Sequence, residues 1–199
     1  LDARVANYIA AAIPDESVPE IWGLAIADIS TGEFRTATVE THQLIAEIGR
    51  VAPREWLIPS TWINTFSPLF ARTRVLVESA DTLLEEIHDV QEFVHAHAQL
   101  PLPPPLTQQP AALTAAAVAM RMLHRARPAD VPPLARIVWL VPSDFMTLDA
   151  ATLANLEVFE TFREKKREGS LIHVLDRTVS AMGGRMWRAV LTYPLLDVA

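Results

Sequence analysis

Apolar and polar positions divide the chain into two unlike stretches, the first alternating strand with helix and the second mostly helical. Residues 22–28, Trp-Gly-Leu-Ala-Ile-Ala-Asp, form an apolar run with the length of a buried strand. A Ser30-Thr31-Gly32 turn leads into residues 33–39, which alternate in period two, so the pair reads as a hairpin. Gly32 supplies the positive φ that such a turn needs at little steric cost. Residues 42–50 read as a helix carrying Leu44, Ile45 and Ile48 on one face. Trp56-Leu57-Ile58 and Arg74-Val75-Leu76-Val77 read as short strands separated by a helix near Thr61–Phe70. Strands alternating with helices predict an α/β layer.

From Asp81 to Ala98 the spacing predicts one amphipathic helix with Leu83, Leu84, Ile87, Val90 and Val94 inward. Pro101 and Pro103–Pro105 cannot continue it, because proline lacks a donor and restrains the residue before it. An alanine-rich helix follows over 111–127, strongly favoured by propensity. Pro128, Pro132 and Pro133 break the chain again and set the expected domain boundary, 1–128 against 129–199. After a short extended run at Ile137–Val141 the rest reads as helix. Asp149 is placed to cap one helix and Ser180 another. The periodicity puts Leu148, Thr152, Leu156 and Phe159 on one helical face, and Met182, Met186, Ala189 and Tyr193 on the next helix's stripe. Gly183 and Gly184 inside that second helix cost about 1 kcal/mol each relative to alanine. Such a cost points to another backbone passing close by.

With 199 residues, half of them apolar, a sizeable core in one domain or two small ones is expected. Cysteine is absent, which fits a reducing compartment. No apolar run approaches the roughly 20 residues of a membrane-spanning helix, and no signal peptide is evident. The net charge of −7 opposes a phosphate backbone as the main ligand.

Several residue groups carry candidate chemistry. Asp28 ends the first apolar strand, where a carboxylate could hold a metal for phosphodiester cleavage, with Glu33, Glu40 and Glu78 the other nearby acids. The following Ser-Thr-Gly favours an ordinary turn instead. Glu85-x-x-His88 and Glu92-x-x-His95 resemble a di-iron pattern, but on one helix, about 10.5 Å apart, they cannot surround a metal. The mixed-sign run Arg163–Glu168 reads as a solvated helix end. Met120, Met122, Met182 and Met186 read as core, and Asp176-Arg177-Thr178 as a capping and packing element.

Three motifs follow one another in the last quarter. They are Met146-Thr-Leu-Asp149, then Thr152-Leu-Ala-Asn155-Leu-Glu157, then Ser170–Thr178 running on to Ala181-Met-Gly-Gly-Arg185 and Tyr193-Pro-Leu195. This succession resembles the start of the core domain of the MutS family, bacterial proteins that recognise mismatched DNA. Asn7–Ala11, Gly23–Phe34 and Glu47–Trp56 look like that family's connector domain, so the resemblance covers nearly the whole chain. It implies an RNase H-like α/β connector, a mixed sheet flanked by helices, followed by an all-α start of the core. Asp149, Asn155, Asp176, Arg177, Gly183, Gly184 and Arg185 are the structural positions it marks. One departure is plain: Leu100–Leu106 is proline-rich where the family carries Phe-Gly-Thr and Gly-Phe-Gly segments.

The chain opens on Leu1, not methionine, and reads as a piece of a longer protein. No Gly-x-x-x-x-Gly-Lys-Ser/Thr phosphate loop occurs in it. The resemblance therefore implies no catalytic, cofactor or metal site in this piece, with ATP and Mg bound by the parent's ATPase domain. It further implies that the connector transmits state between the mismatch-reading and ATPase regions. Mismatched DNA would be held through the full-length parent, a homodimer of the bacterial cytoplasm and nucleoid, with no membrane partner. A MutL-like protein would dock on the 1–128 domain. Trp62 and Phe66, at helical spacing, are candidate aromatic anchors, with packing onto the sheet as the alternative. A metal-dependent nuclease using Asp28 is the alternative function on the same fold.

Overall fold

The computed structural model describes residues 7–29, 31–51, 53–71, 75–98, 100–126, 134 and 136–197. Six strands form one sheet: β1 (Tyr8–Pro14), β2 (Ile21–Asp28), β3 (Glu33–Glu40), β4 (Glu55–Ile58), β5 (Leu76–Ser79) and β6 (Arg136–Trp139). Their spatial order is β5-β4-β1-β2-β3-β6. β1, β2 and β3 are an antiparallel meander, β4 runs parallel to β1, and β5 runs parallel to β4. That arrangement of the first five strands is RNase H-like. β6, which follows the boundary expected at 128, joins the same sheet parallel to β3; the boundary itself lies outside the described residues.

Helices cover both faces, as a largely buried mixed sheet requires. On one face α3 (Asp81–Glu85), α4 (Val90–Ala98), α5 (Pro104–Thr107) and α6 (Pro110–Ala126) bury Phe34, Leu57, Val94, Leu106 and Met120. On the other, α1 (Thr41–Val51) and α2 (Ser60–Phe70) bury Trp22, Trp56, Leu44, Ile48 and Phe66. Small residues set the spacing on the first face. α6 presents Ala112, Ala115, Ala116 and Ala119, all buried, to a sheet whose central strand β1 is itself Ala10-Ala11-Ala12. At Gly23 of β2 a Cβ would lie 2.0 Å from the Ala111 carbonyl carbon, so the helix start rests directly on the strand backbone.

Past the sheet, α7 (Ala150–Asn155), α8 (Leu171–Leu175) and α9 (Ala181–Thr192) are each opened by a capping side chain. Asp149 accepts from the Thr152 amide at 2.7 Å, Ser170 from His173 at 3.4 Å and Ser180 from Gly183 at 3.1 Å. This satisfies amides that a short helix cannot bond internally.

The hairpin, its Gly32 turn at φ 72°, and α2 follow the sequence pattern. Other expectations need correction. The expected helix over 81–98 is two helices, because Asp89 caps a fresh start: its carboxylate accepts from the Glu92 amide at 2.8 Å. His88 therefore lies in the break, and the two Glu-x-x-His motifs do not share a helix as assumed. β5 begins at Leu76; Arg74 lies outside the described residues. Ile45 is exposed although Leu44 and Ile48 are buried. α7 stops at Asn155, with Glu157 at φ 49°, so Leu156 and Phe159 do not continue its face. Met120 is core as expected, but Met182 and Met186 are two-thirds exposed. The neighbour of Gly183 is the Thr178 side chain, 2.8 Å from a built Cβ, and not another backbone.

Candidate functional site

The seam between the sheet and the C-terminal helices brings together residues that lie far apart in sequence. It starts from Glu47 and Arg50 on α1, whose side chains are 8 % and 7 % exposed and form an ion pair. The Tyr193 hydroxyl, at the end of α9, donates to Glu47 Oε2 at 2.8 Å across 146 positions of sequence. The Arg50 guanidinium lies 4.2 Å from the Tyr193 ring centroid, and Arg35 from β3 lies 5.4 Å from it. Phe145 meets the same ring edge-on at 5.7 Å. Arg50 also donates to the Met146 carbonyl at 3.3 Å. A short backbone ladder then locks the two ends of this segment: Met146 donates to Pro194 at 2.8 Å, Leu196 to Asp144 at 2.9 Å, and Phe145 bridges Leu195.

Burial governs the electrostatics here. It pushes the Tyr193 hydroxyl above its ordinary pKa despite Arg50 and Arg35, and it does the same to Tyr8 on β1 despite Arg35. The same desolvation lowers Arg50, which Tyr193 opposes. Both tyrosines are thus neutral donors at neutral pH. A buried ion pair adds little net stability over an apolar pair, but losing one member leaves the other stranded, at about 3–5 kcal/mol. The pair lies within α1, and the contacts that cross the seam are the Tyr193 hydroxyl on Glu47 and those of Arg50 with Tyr193 and Met146.

Between the sheet and these helices lies a cavity of about 390 Å³. Arg35, Arg50, Arg185 and Arg188 line it together with Tyr8, Thr192 and Tyr193, and Glu160 is the acidic residue among the lining side chains. α1 closes one wall by direct contact with α7: a Cβ on Gly49 would lie 2.9 Å from that of Ala150. Arg188 packs 4.2 Å from the Phe159 ring centroid.

Of the residues singled out by sequence, Arg185 lines this cavity and Asp149 holds α7 beside it, its carboxyl below the usual range because Thr152 donates to it. Asp176 accepts from the Thr178 hydroxyl and amide at 2.6 and 3.0 Å and from Arg167 at 2.5 Å, and those bonds, Thr178's first, lower its pKa. It joins α8 to the loop before α9. Gly183 and Gly184 sit in the first turn of α9; Asn155 and Arg177 are exposed. Phe66 is buried and Trp62 half-buried, both in edge-to-face contact with Trp22 at 5.5 and 5.0 Å, so they serve the core and are not free anchors. Asp28 is buried at the end of β2, its carbonyl accepting from the Gly32 amide at 2.9 Å in the expected turn. Among the described residues no three His, Cys, Asp or Glu side chains group so as to hold a metal ion.

Sequence reasoning missed Tyr8, Arg35, Glu47, Arg50 and Arg188. Two signals were present. Period two puts Arg35 on the same strand face as Ala37 and Val39, and helical period puts Glu47 with Leu44, Ile48 and Val51, all buried. A charged residue inside an apolar stripe marks a partner not visible locally.

Comparison with known proteins places this geometry. Residues 7–131 match the family model for MutS domain II, and residues 151–199 the model for MutS domain III. The chain belongs to the MutS family. It is 32% identical to the DNA mismatch repair protein MutS of Syntrophobacter fumaroxidans over 214 residues, covering 100% of this chain and 23% of that protein. It is 33% identical to that of Synechococcus sp. over 207 residues (99% and 22%) and 31% identical to that of Dehalococcoides mccartyi over 196 (98% and 22%). It therefore spans 22–23% of the length of these relatives. Among solved structures, T. thermophilus RuvC in complex with a Holliday junction substrate aligns with a TM-score of 0.43 at 16% identity, covering 64% of this chain and 99% of that one. The seam is thus where the domain II sheet meets the first helices of domain III. No helix among the described residues is long and apolar enough to cross a membrane.

Proposed function

We propose that this chain is a non-catalytic coupling element of a mismatch-recognition protein, fixing how domain II sits on the core and so linking the mismatch-reading and ATPase regions of the parent. The observation that carries this reading is the Glu47–Arg50–Tyr193 network. A buried polar cluster between two layers specifies one arrangement more than it stabilises either layer. Coupling between distant sites needs a joint whose equilibrium both can bias.

In this reading mismatched DNA and ATP with Mg belong to the homodimeric parent, and the piece itself uses no cofactor. The parent works in the bacterial cytoplasm at the nucleoid. A MutL-like protein docks on the surface of the domain II region, away from the Trp62–Phe66 cluster. The test places Tyr193→Phe and Glu47→Gln in the full-length parent. Expected is mismatch binding within about twofold of wild type, with a several-fold loss of mismatch stimulation of ATP turnover, each 1.4 kcal/mol of coupling being tenfold. Unchanged stimulation in both variants would overturn the coupling role. For docking, crosslinking and calorimetry of the chain with the MutL N-terminal domain are expected to give a complex; none, where the full-length parent binds, would remove the docking role.

A further inference from the structure

On the face of the sheet away from the seam, α4 and α6 pack together and bring two histidines into contact. The rings of His97 on α4 and His124 on α6 have centroids 4.7 Å apart and planes inclined at 67°. Both residues are half-buried, so their rings border solvent. His97 is also held from behind. Its ring stacks on Phe93 with centroids 4.0 Å apart, and its Nδ1 lies 2.8 Å from the Phe93 carbonyl oxygen.

That last contact decides the chemistry of the ring. A carbonyl oxygen only accepts, so Nδ1 carries the hydrogen and Nε2 of the neutral ring keeps its lone pair. Metal-binding imidazoles are held in this way: one nitrogen donates to a carbonyl or carboxylate, and the other is left basic and fixed in direction. The spacing of the pair fits as well. Two imidazoles sharing an ion at about 2.0–2.1 Å per bond, with about 90–110° between the bonds, have ring centres about 4.5–5.2 Å apart. The nearby cation is offset, since Arg121, one turn before His124, gives Nε and a terminal nitrogen to Glu86 at 2.7 Å each.

From this geometry we infer that His97 and His124 form a two-imidazole site for a divalent first-row transition-metal ion such as Cu(II), Ni(II) or Zn(II), joining α4 to α6. Imidazole suits these ions, whereas Mg(II) and Ca(II) take oxygen ligands. Among the described residues no third His, Cys, Asp or Glu joins the pair. Water therefore fills the other positions, and the affinity is that of an open site, well below a closed structural one. The ion is a clamp between helices and not a reactant, so the non-catalytic reading of the chain stands apart from it. Binding only the packed helices, it stabilises them.

The test is calorimetry of the 199-residue chain with each ion in a non-coordinating buffer, with thermal melts in parallel. Expected is a Kd below about 100 µM for Cu(II), weaker binding of Ni(II) and Zn(II), and no heat from Mg(II). The melting temperature should rise with Cu(II) and return on adding a chelator. His97→Gln and His124→Gln should each weaken binding at least tenfold, while His88→Gln and His95→Gln leave it unchanged. Electron paramagnetic resonance of the Cu(II) form should show coupling to two imidazole nitrogens, reduced to one in either variant. Melts of the ion-free variants separate loss of a ligand from loss of the fold, because both are expected to unfold as cooperatively as the parent. Absence of heat at millimolar ion would overturn the proposal, as would affinity and spectrum indifferent to both substitutions. Equal loss in His95→Gln would overturn the assignment to this pair. No readout involves ATP turnover or DNA, so failure here and failure of the coupling role are distinguishable.

Discussion

The sheet with its covering helices, residues 8–126, and the helical segment from 150 to 192 hold their shapes by different means. In the first, Trp22, Trp56, Phe34, Leu44 and Met120 are almost wholly removed from water, and the core lies in two layers, one on each face of the sheet. In the second, the buried apolar side chains are few, Leu153, Val158 and Ile172 among them, while Val179, Met182 and Met186 stand in solvent. There the geometry comes from capping side chains, from Asp176 gathering Thr178 and Arg167, and from the ladder that ties Met146 to Pro194. Apolar burial gives large, shared stability; caps and local hydrogen bonds give about 1 kcal/mol each and fix direction. The seam is where the second region borrows its position from the first.

If that contrast is right, the most damaging single changes lie in the sheet region. Gly23→Val puts side-chain atoms where the Ala111 backbone already is, and α6 must move. A loss of at least about 4 kcal/mol is expected in urea unfolding. Trp56→Ala, at the centre of the other layer, should cost about 3–5 kcal/mol by the same measurement. A milder effect from either would mean the two layers repack more freely than their burial implies.

Changes at the seam should be intermediate and local. Tyr193→Phe removes the bond to Glu47 and is expected to cost about 1 kcal/mol. Hydrogen exchange should quicken at Met146 and Leu196 while the amides of β1 and β2 keep their protection. Ser170→Ala, at a buried cap, should cost a similar or smaller amount, about 1 kcal/mol, and affect only α8. Equal loss of protection in the sheet would show that the two regions unfold as one unit.

The smallest effect is a dependence on pH. Glu55 on β4 has its carboxyl pushed up to about 7 by burial first and by Glu78 of β5 second. Its folded pKa exceeds the ordinary 4.5, so its contribution to stability is complete below about 4.5 and is lost as pH rises through about 7. Glu55→Gln should therefore flatten the fall in melting temperature across neutral pH, with little change in acid. An unaltered profile would mean the pair is relaxed by solvent.

Much of this was legible from residue order. The β2–β3 hairpin, α1, α2, α6 and the caps Asp149 and Ser180 follow from periodicity and turn chemistry, and the motifs after Met146 carried the family. The central strand β1 was not, because Ala10-Ala11-Ala12 has no strand signature of its own and becomes a strand by lying between β2 and β4. Nor was the division at Asp89, where one capping carboxylate outweighs an otherwise continuous helical stripe.

What the sequence determined by itself is therefore local: which segments can be helix or strand, where each starts, and which family the chain belongs to. Those depend on interactions spanning a few residues. Only the tertiary structure decided that β6 adds to the β3 edge, that Phe66 is core, and that Arg35, Arg50, Arg185 and Arg188 share a cavity with Tyr193. The strand pairing and the cavity follow from contacts across more than a hundred positions, such as Tyr193 to Glu47, and the place of Phe66 from its contact with the distant Trp22. A charged residue on an apolar stripe signals that a partner exists, and the packing of the whole chain selects which one.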